Sequence, residues 1–247
     1  MSSSSAPPHP PTPRRWARRP LGALVAFAAL ALAAPRAARA DEPQWKQIDD
    51  TDGVRVWERS VEGSSFVEFR GRGMVDAPMP RVLAVLRDQD RKTEWMERCV
   101  ANRALAYAST NRMTIYHRIG SPFFTISDRD VVLDVRGELD EPNRTITIRF
   151  ESTTHKAVPA QDGVVRMPKL KGHWRITAKG EATEVEYQVS ADPGGALPAF
   201  VVNWASRGIP LNTLRGLRAQ LKKDGYEKEL AFVETAYDWD RLLQKQP

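Results

Sequence analysis

The sequence predicts an α+β fold in which one long, curved antiparallel β-sheet wraps around a long C-terminal α-helix and leaves a hydrophobic cavity between them. Two patterns predict it. Apolar residues recur with a period of two from Val100 to Ala191, and with helical spacing from Pro198 to about Asp224-Gly225. A single helix cannot fill a concave sheet of that length, so enclosed apolar space is the expected result.

The elements follow in order. After an amphipathic start around Trp45 to Ile48, Val54 to Glu58 and Phe66 to Val75 read as an opening hairpin, turned at Glu62-Gly63-Ser64. Pro78 begins a short helix over 79–86, and 88–97 reads as a second. Strands are expected at 100–107, 111–119, 128–139, 145–152, 164–179 and 182–191. Ile146, Ile148 and Phe150 alternate with Thr147 and Arg149, Trp174 and Ile176 with Arg175 and Thr177, and Val185, Tyr187 and Val189 with Glu186 and Gln188. That alternation gives the sheet one dry face. The breaker Asp192-Pro193-Gly194-Gly195 precedes the long helix, whose apolar stripe is Val201, Trp204, Ala205, Gly208, Leu211, Leu214, Leu217 and Leu221. Gly208-Ile209-Pro210 should kink it, because Pro210 lacks a backbone donor. A helical tail over 227–243 ends the chain.

The net charge of +6 is a property of the first forty residues alone. Their six arginines (Arg14, Arg15, Arg18, Arg19, Arg36 and Arg39) account for the whole excess of 37 basic over 31 acidic residues. The remainder is neutral, which excludes nucleic acid as a partner. This leading segment joins a basic stretch, an apolar run from Leu21 to Ala34 and the small-x-small triplet Ala38-Arg39-Ala40. It reads as an export signal over 1–40, cleaved after Ala40, with residues 41–247 as a single domain in the periplasm or secreted. The apolar run is shorter than the roughly 20 residues that span a bilayer. Cys99 is the lone cysteine, so no internal disulfide or Cys-based metal cluster is expected.

Ser127-Asp128-Arg129-Asp130-Val131-Val132 and Ala191-Asp192-Pro193-Gly194-Gly195-Ala196-Leu197-Pro198 occur in the order and spacing of a START domain. The stretch from Leu197 to Pro210 resembles the C-terminal helix of the phosphatidylcholine transfer branch of that family. The resemblance implies a helix-grip fold holding one phospholipid-like lipid for transfer or sensing, with the C-terminal helix and a neighbouring loop as gate. That loop is Gly120 to Thr125, and the gate residues are Phe123, Phe124, Gly208 and Pro210. Expected cavity residues are Tyr116, Phe150, Trp174, Tyr187, Val201 and Trp204, although large aromatics also serve ordinary core packing. Sterol-binding relatives place an acidic and a basic residue at what are here Tyr116 and Val135, which removes the usual sterol anchor. Transient membrane contact, a monomer and no cofactor are expected.

Arg129 and Asp130 are read as structural charges tying a strand to a loop. Arg207, Arg215, Arg218, Lys222 and Lys223 read as a solvated face, and Asp49, Asp50 and Asp52 as a turn. Nucleophile-elbow, phosphate-loop and zinc-helix motifs are missing from the sequence, so no catalysis is expected. The alternative is a polyketide cyclase or aromatase-like enzyme of the helix-grip type, which would need His117, Tyr116 or His173 to converge in the cavity.

Overall fold

The computed structural model describes residues 44–239 and 242; the expected export signal lies outside them. The described chain runs β1 (Lys46–Thr51), β2 (Val54–Ser60), β3 (Val67–Val75), α1 (Met79–Arg87), a 3-10 turn at Lys92–Glu94, β4 (Cys99–Ser109), β5 (Arg112–Ile119), β6 (Asp128–Asp140), β7 (Thr145–Thr153), β8 (Val164–Arg166), β9 (Lys169–Lys179), β10 (Ala182–Asp192), α2 (Ala199–Ser206), α3 (Ile209–Gln220) and α4 (Glu227–Ala236). The strands form one sheet in the order β1-β2-β3-β10-β9-β7-β6-β5-β4, with β8 beside β6. All pairings are antiparallel except β6 with β8. This is the expected α+β helix-grip architecture.

Four details differ from expectation. The chain opens with an additional strand, β1, which pairs with β2. The segment 88–97 contracts to a 3-10 turn, and Pro168, which has no donor for a ladder, separates β8 from β9. The long helix is two helices. Pro210 occupies the first turn of α3, where its missing N–H costs nothing, so the chain restarts there instead of bending through it.

Glycines set how closely α3 meets the sheet. Gly71 and Gly73 occupy alternate positions on the inner face of β3. A β-carbon on Gly71 would lie 2.7 Å from the Pro210 ring, and one on Gly73 would lie 3.1 Å from the Arg218 guanidinium. Leu211, Leu214 and Leu217 of α3 are buried in the main core beside Val54, Val56 and Val185. On β9, Gly172 pairs with Phe150, and a β-carbon there would lie 2.6 Å from that ring. The glycine therefore lets Phe150 lie across the neighbouring strand.

Candidate functional site

The inner face of the sheet and the helices enclose a predominantly apolar cavity of about 260 Å³. Its aromatic wall is a row from β7, β10 and β9. The Phe150 and Tyr187 centroids are 6.2 Å apart, those of Tyr187 and Trp174 are 4.3 Å apart, and Trp95 meets Trp174 edge-on at 6.1 Å. Leu133, Val135, Ile148, Leu170 and Val189 complete the walls. Phe150, Trp174, Tyr187 and Val201 all line the cavity. Tyr116 requires a correction, for it lies on the opposite face, packed with Val132 and Val158, and its hydroxyl accepts a hydrogen bond from Gln161. Its neighbour His117 points inward, and successive strand residues take opposite faces.

One region of the cavity is polar. The Lys92 ammonium donates to the Leu86 carbonyl at 2.8 Å and lies 4.5 Å from the Trp95 ring centroid. His117 Nδ1–H donates to Asn102 Oδ1 at 3.0 Å, while the Asn102 amide donates to the Gln89 carbonyl at 2.8 Å. Cys99 Sγ sits 3.6 Å from the same imidazole nitrogen. Burial drives the Lys92 pKa down to about 7, only partly opposed by Cys99 and Asp88. Burial and the nearby Lys92 hold His117 down at about 4, so it is a neutral imidazole at physiological pH.

A pH dependence of stability follows. Above pH 7 the folded chain has lost the Lys92 proton that an unfolded lysine retains to about 10.5, so the unfolded state binds more protons and stability rises with pH. Between pH 7 and 9, urea denaturation of the lipid-free protein should show a gain approaching about 1 kcal/mol per pH unit. Lys92→Met should flatten that slope; a slope unchanged in the variant would remove Lys92 as its source.

Arg129 is the second buried cation, 9 % exposed and lining the cavity. Its Nε is buried with no hydrogen-bond partner, and Nη1–H donates to the Ser127 carbonyl. Both adjacent carboxylates are engaged elsewhere. Asp128 holds Arg118 at 2.8 Å, and Asp130 receives Arg166 in a two-pronged pair at 2.7 and 3.0 Å. The expected structural role therefore holds for Asp130, and Arg129 departs from it by facing inward. Among the cationic side chains lining the cavity, Arg87, Arg98 and Arg112 have carboxylate partners in Glu229, Glu97 and Asp134. Lys92 and Arg129 have none within ion-pairing distance among the described residues.

Helix α2 and the loop 120–127 close one side of the cavity. Val201, Val202, Asn203, Ala205 and Ser206 line the cavity from α2, and Ser121, Pro122, Phe123 and Ile126 from the loop. The Asn203 side chain bridges α2 to the sheet, accepting from Val67 N–H and donating to the Ser65 carbonyl, both at 3.1 Å. Arg98 donates to the Ala205 carbonyl at 2.9 Å. Trp204 does not line the cavity as expected. Val201 and Ala205, four residues apart, take the inward side, and Trp204 stays 67 % exposed, stacked on Phe123 at 6.5 Å. Phe124 and Phe200 are also exposed. Gly208 lies at the break between helices, and Pro210 is buried against Gly71, so neither touches the cavity. Lys92, Arg98, Asn102 and Asn203 are among the site residues that sequence reasoning missed.

The START domain family model matches residues 27–226, most of the chain. The chain belongs to the START family. An uncharacterized protein of Pseudomonas aeruginosa is 34 % identical over 72 % of this chain and 87 % of its own length. Bovine phosphatidylcholine transfer protein is 26 % identical over 67 % of this START chain and 79 % of its own. A STAR-related lipid transfer protein fragment from Xanthomonas axonopodis superposes with a TM-score of 0.67 at 32 % identity, covering 72 % of this chain and 99 % of the fragment.

Proposed function

We propose that this START protein binds and carries a single phospholipid-like molecule. The observation that carries the reading is an apolar cavity that buries two basic side chains without carboxylate partners: Arg129, which stays charged, and Lys92, which is half-protonated near pH 7. Such a pair disfavours a neutral ligand and favours one with an anionic head group, because a buried charge without a counter-ion is costly. Acyl chain would line the aromatic wall, at about 0.8 kcal/mol per buried methylene. The relatives named for lipid transfer and for phosphatidylcholine support the same class of cargo.

Loading requires movement. The cavity volume is below the roughly 300–1,000 Å³ of ordinary ligand pockets, so a two-chain lipid must displace α2 and the loop 120–127, its lid. The exposed rings of Phe124, Phe200 and Trp204 lie on the lid elements and are suited to transient contact with a membrane surface. No helix among the described residues is long and apolar enough to cross a membrane. In this reading the protein is exported, acts as a monomer in the periplasm or beyond it, and uses no cofactor. The cyclase reading gains little, since of His117, Tyr116 and His173 only His117 lines the cavity.

Incubation with vesicles of mixed phosphatidylcholine, phosphatidylglycerol and sterol, repurification and mass spectrometry should return one phospholipid per protein. Protein that returns without lipid, or with sterol alone, would overturn the proposal.

A further inference from the structure

The START match ends at Tyr226, and α4 begins at the next residue. The root of this tail is firmly held: Tyr226 is 1 % exposed, its hydroxyl accepts from Gln220 at 2.7 Å, and the Arg81 and Arg91 guanidinium groups lie over its ring. From there α4 packs on α1. Arg87 of α1 pairs with Glu229 at 2.9 Å and lies 3.5 Å from the centroid of the Phe232 ring. Beyond the helix, Trp239 Nε1–H donates to the Val233 carbonyl at 3.0 Å, and Trp239 meets Tyr237 edge-on at 5.4 Å.

Phe232, Val233 and Tyr237 all line the cavity, together with Asn111, Met113 and Gly137. Gly137 lies eight residues along β6 from Arg129, about 26 Å of extended strand. The tail thus meets the cavity at the end opposite the unpaired Arg129, where the ends of the acyl chains would lie if the head group pairs there.

We propose that α4 is the end wall of the cavity and that Phe232 and Tyr237 set the longest acyl chain the protein accepts. The proposal rests on the lipid reading above. Val233 is 3 % exposed and anchors the helix in the core, whereas Phe232 and Tyr237 are only partly buried and can change size without opening that anchor. The wall is a feature of this chain's tail, outside the segment that matches the family.

The full protein is loaded from vesicles containing equimolar phosphatidylglycerols with 14- to 22-carbon chains, and bound species are read by mass spectrometry. Phe232→Ala should shift the bound population toward longer chains, by about fourfold per additional methylene that gains burial. Phe232→Trp should shift it toward shorter chains, and Tyr237→Ala should act like Phe232→Ala. Opposite shifts from the two Phe232 variants cannot arise from general loosening of the fold. A wild-type protein that carries lipid, with a chain profile moved by none of the three substitutions, overturns the end-wall proposal alone. A wild type that carries no lipid overturns the lipid reading itself, and the proposal with it.

Discussion

Replacing Arg129 with methionine should weaken binding of an anionic phospholipid by at least thirtyfold while making the lipid-free protein more stable. Truncating one partner of a buried, hydrogen-bonded charge pair costs about 2–5 kcal/mol, and thirtyfold is the lower end of that range. The gain in the lipid-free form has a separate cause. Arg129 Nε is buried without a partner, and a buried donor left unmade costs about 1–3 kcal/mol, which methionine of similar reach removes. Equilibrium dialysis against short-chain phosphatidylglycerol and urea denaturation without lipid give the two readings. The opposite signs discriminate between roles. A strut between strand and loop would lose stability when truncated and leave affinity nearly unchanged; that result would return Arg129 to a structural part.

Gly216→Ala should cost about 3 kcal/mol of stability and abolish lipid binding in whatever fraction remains folded. A β-carbon on Gly216 would lie 2.0 Å from the Trp95 carbonyl oxygen, a backbone atom that no rotamer change can clear. Helix α3 must then back away from the segment that carries both Lys92 and Trp95, and overpacking of a close-packed contact commonly costs 1–3 kcal/mol. Gly208→Ala is the matched control. Its nearest neighbour is the Asn212 amide at 3.5 Å, an ordinary contact, so its stability should stay within about 1 kcal/mol of wild type. Denaturation midpoints of the two variants that coincide would show that the Gly216 contact relaxes without cost.

The late strands were legible because their alternation is undisturbed. Trp174 with Ile176, and Val185 with Tyr187, alternate with polar residues, and the structure places them on the inner face. Tyr116 was misread where that contrast fails. Val131, Val132 and Leu133 are all buried, since Val158 from the loop between β7 and β8 covers the outer face of β6, so the sequence there carries no parity signal. Lys92 was hidden for the opposite reason. It sits in the charged run from Asp88 to Glu97, which reads as solvent-facing, and only packing against β4 and α3 encloses it. The two short helices read as one because the apolar stripe continues across Gly208 even though the backbone does not. The unpaired state of Arg129 depends on where Arg118 and Arg166 come to rest, a matter of tertiary position that no local pattern encodes.

The separation of α2 from α3 has an energetic consequence. Helix α3 buries Leu211, Leu214 and Leu217 in the main core, whereas no residue of α2 is fully buried. Local stability is therefore steeply graded across Gly208. Helix α2 is expected to open at a small part of the global free energy, and α3 to open only with the core it is buried in. Under the proposed lipid reading, cargo would enter and leave through fluctuations of the eight residues of α2 while the sheet stays far from its unfolding transition.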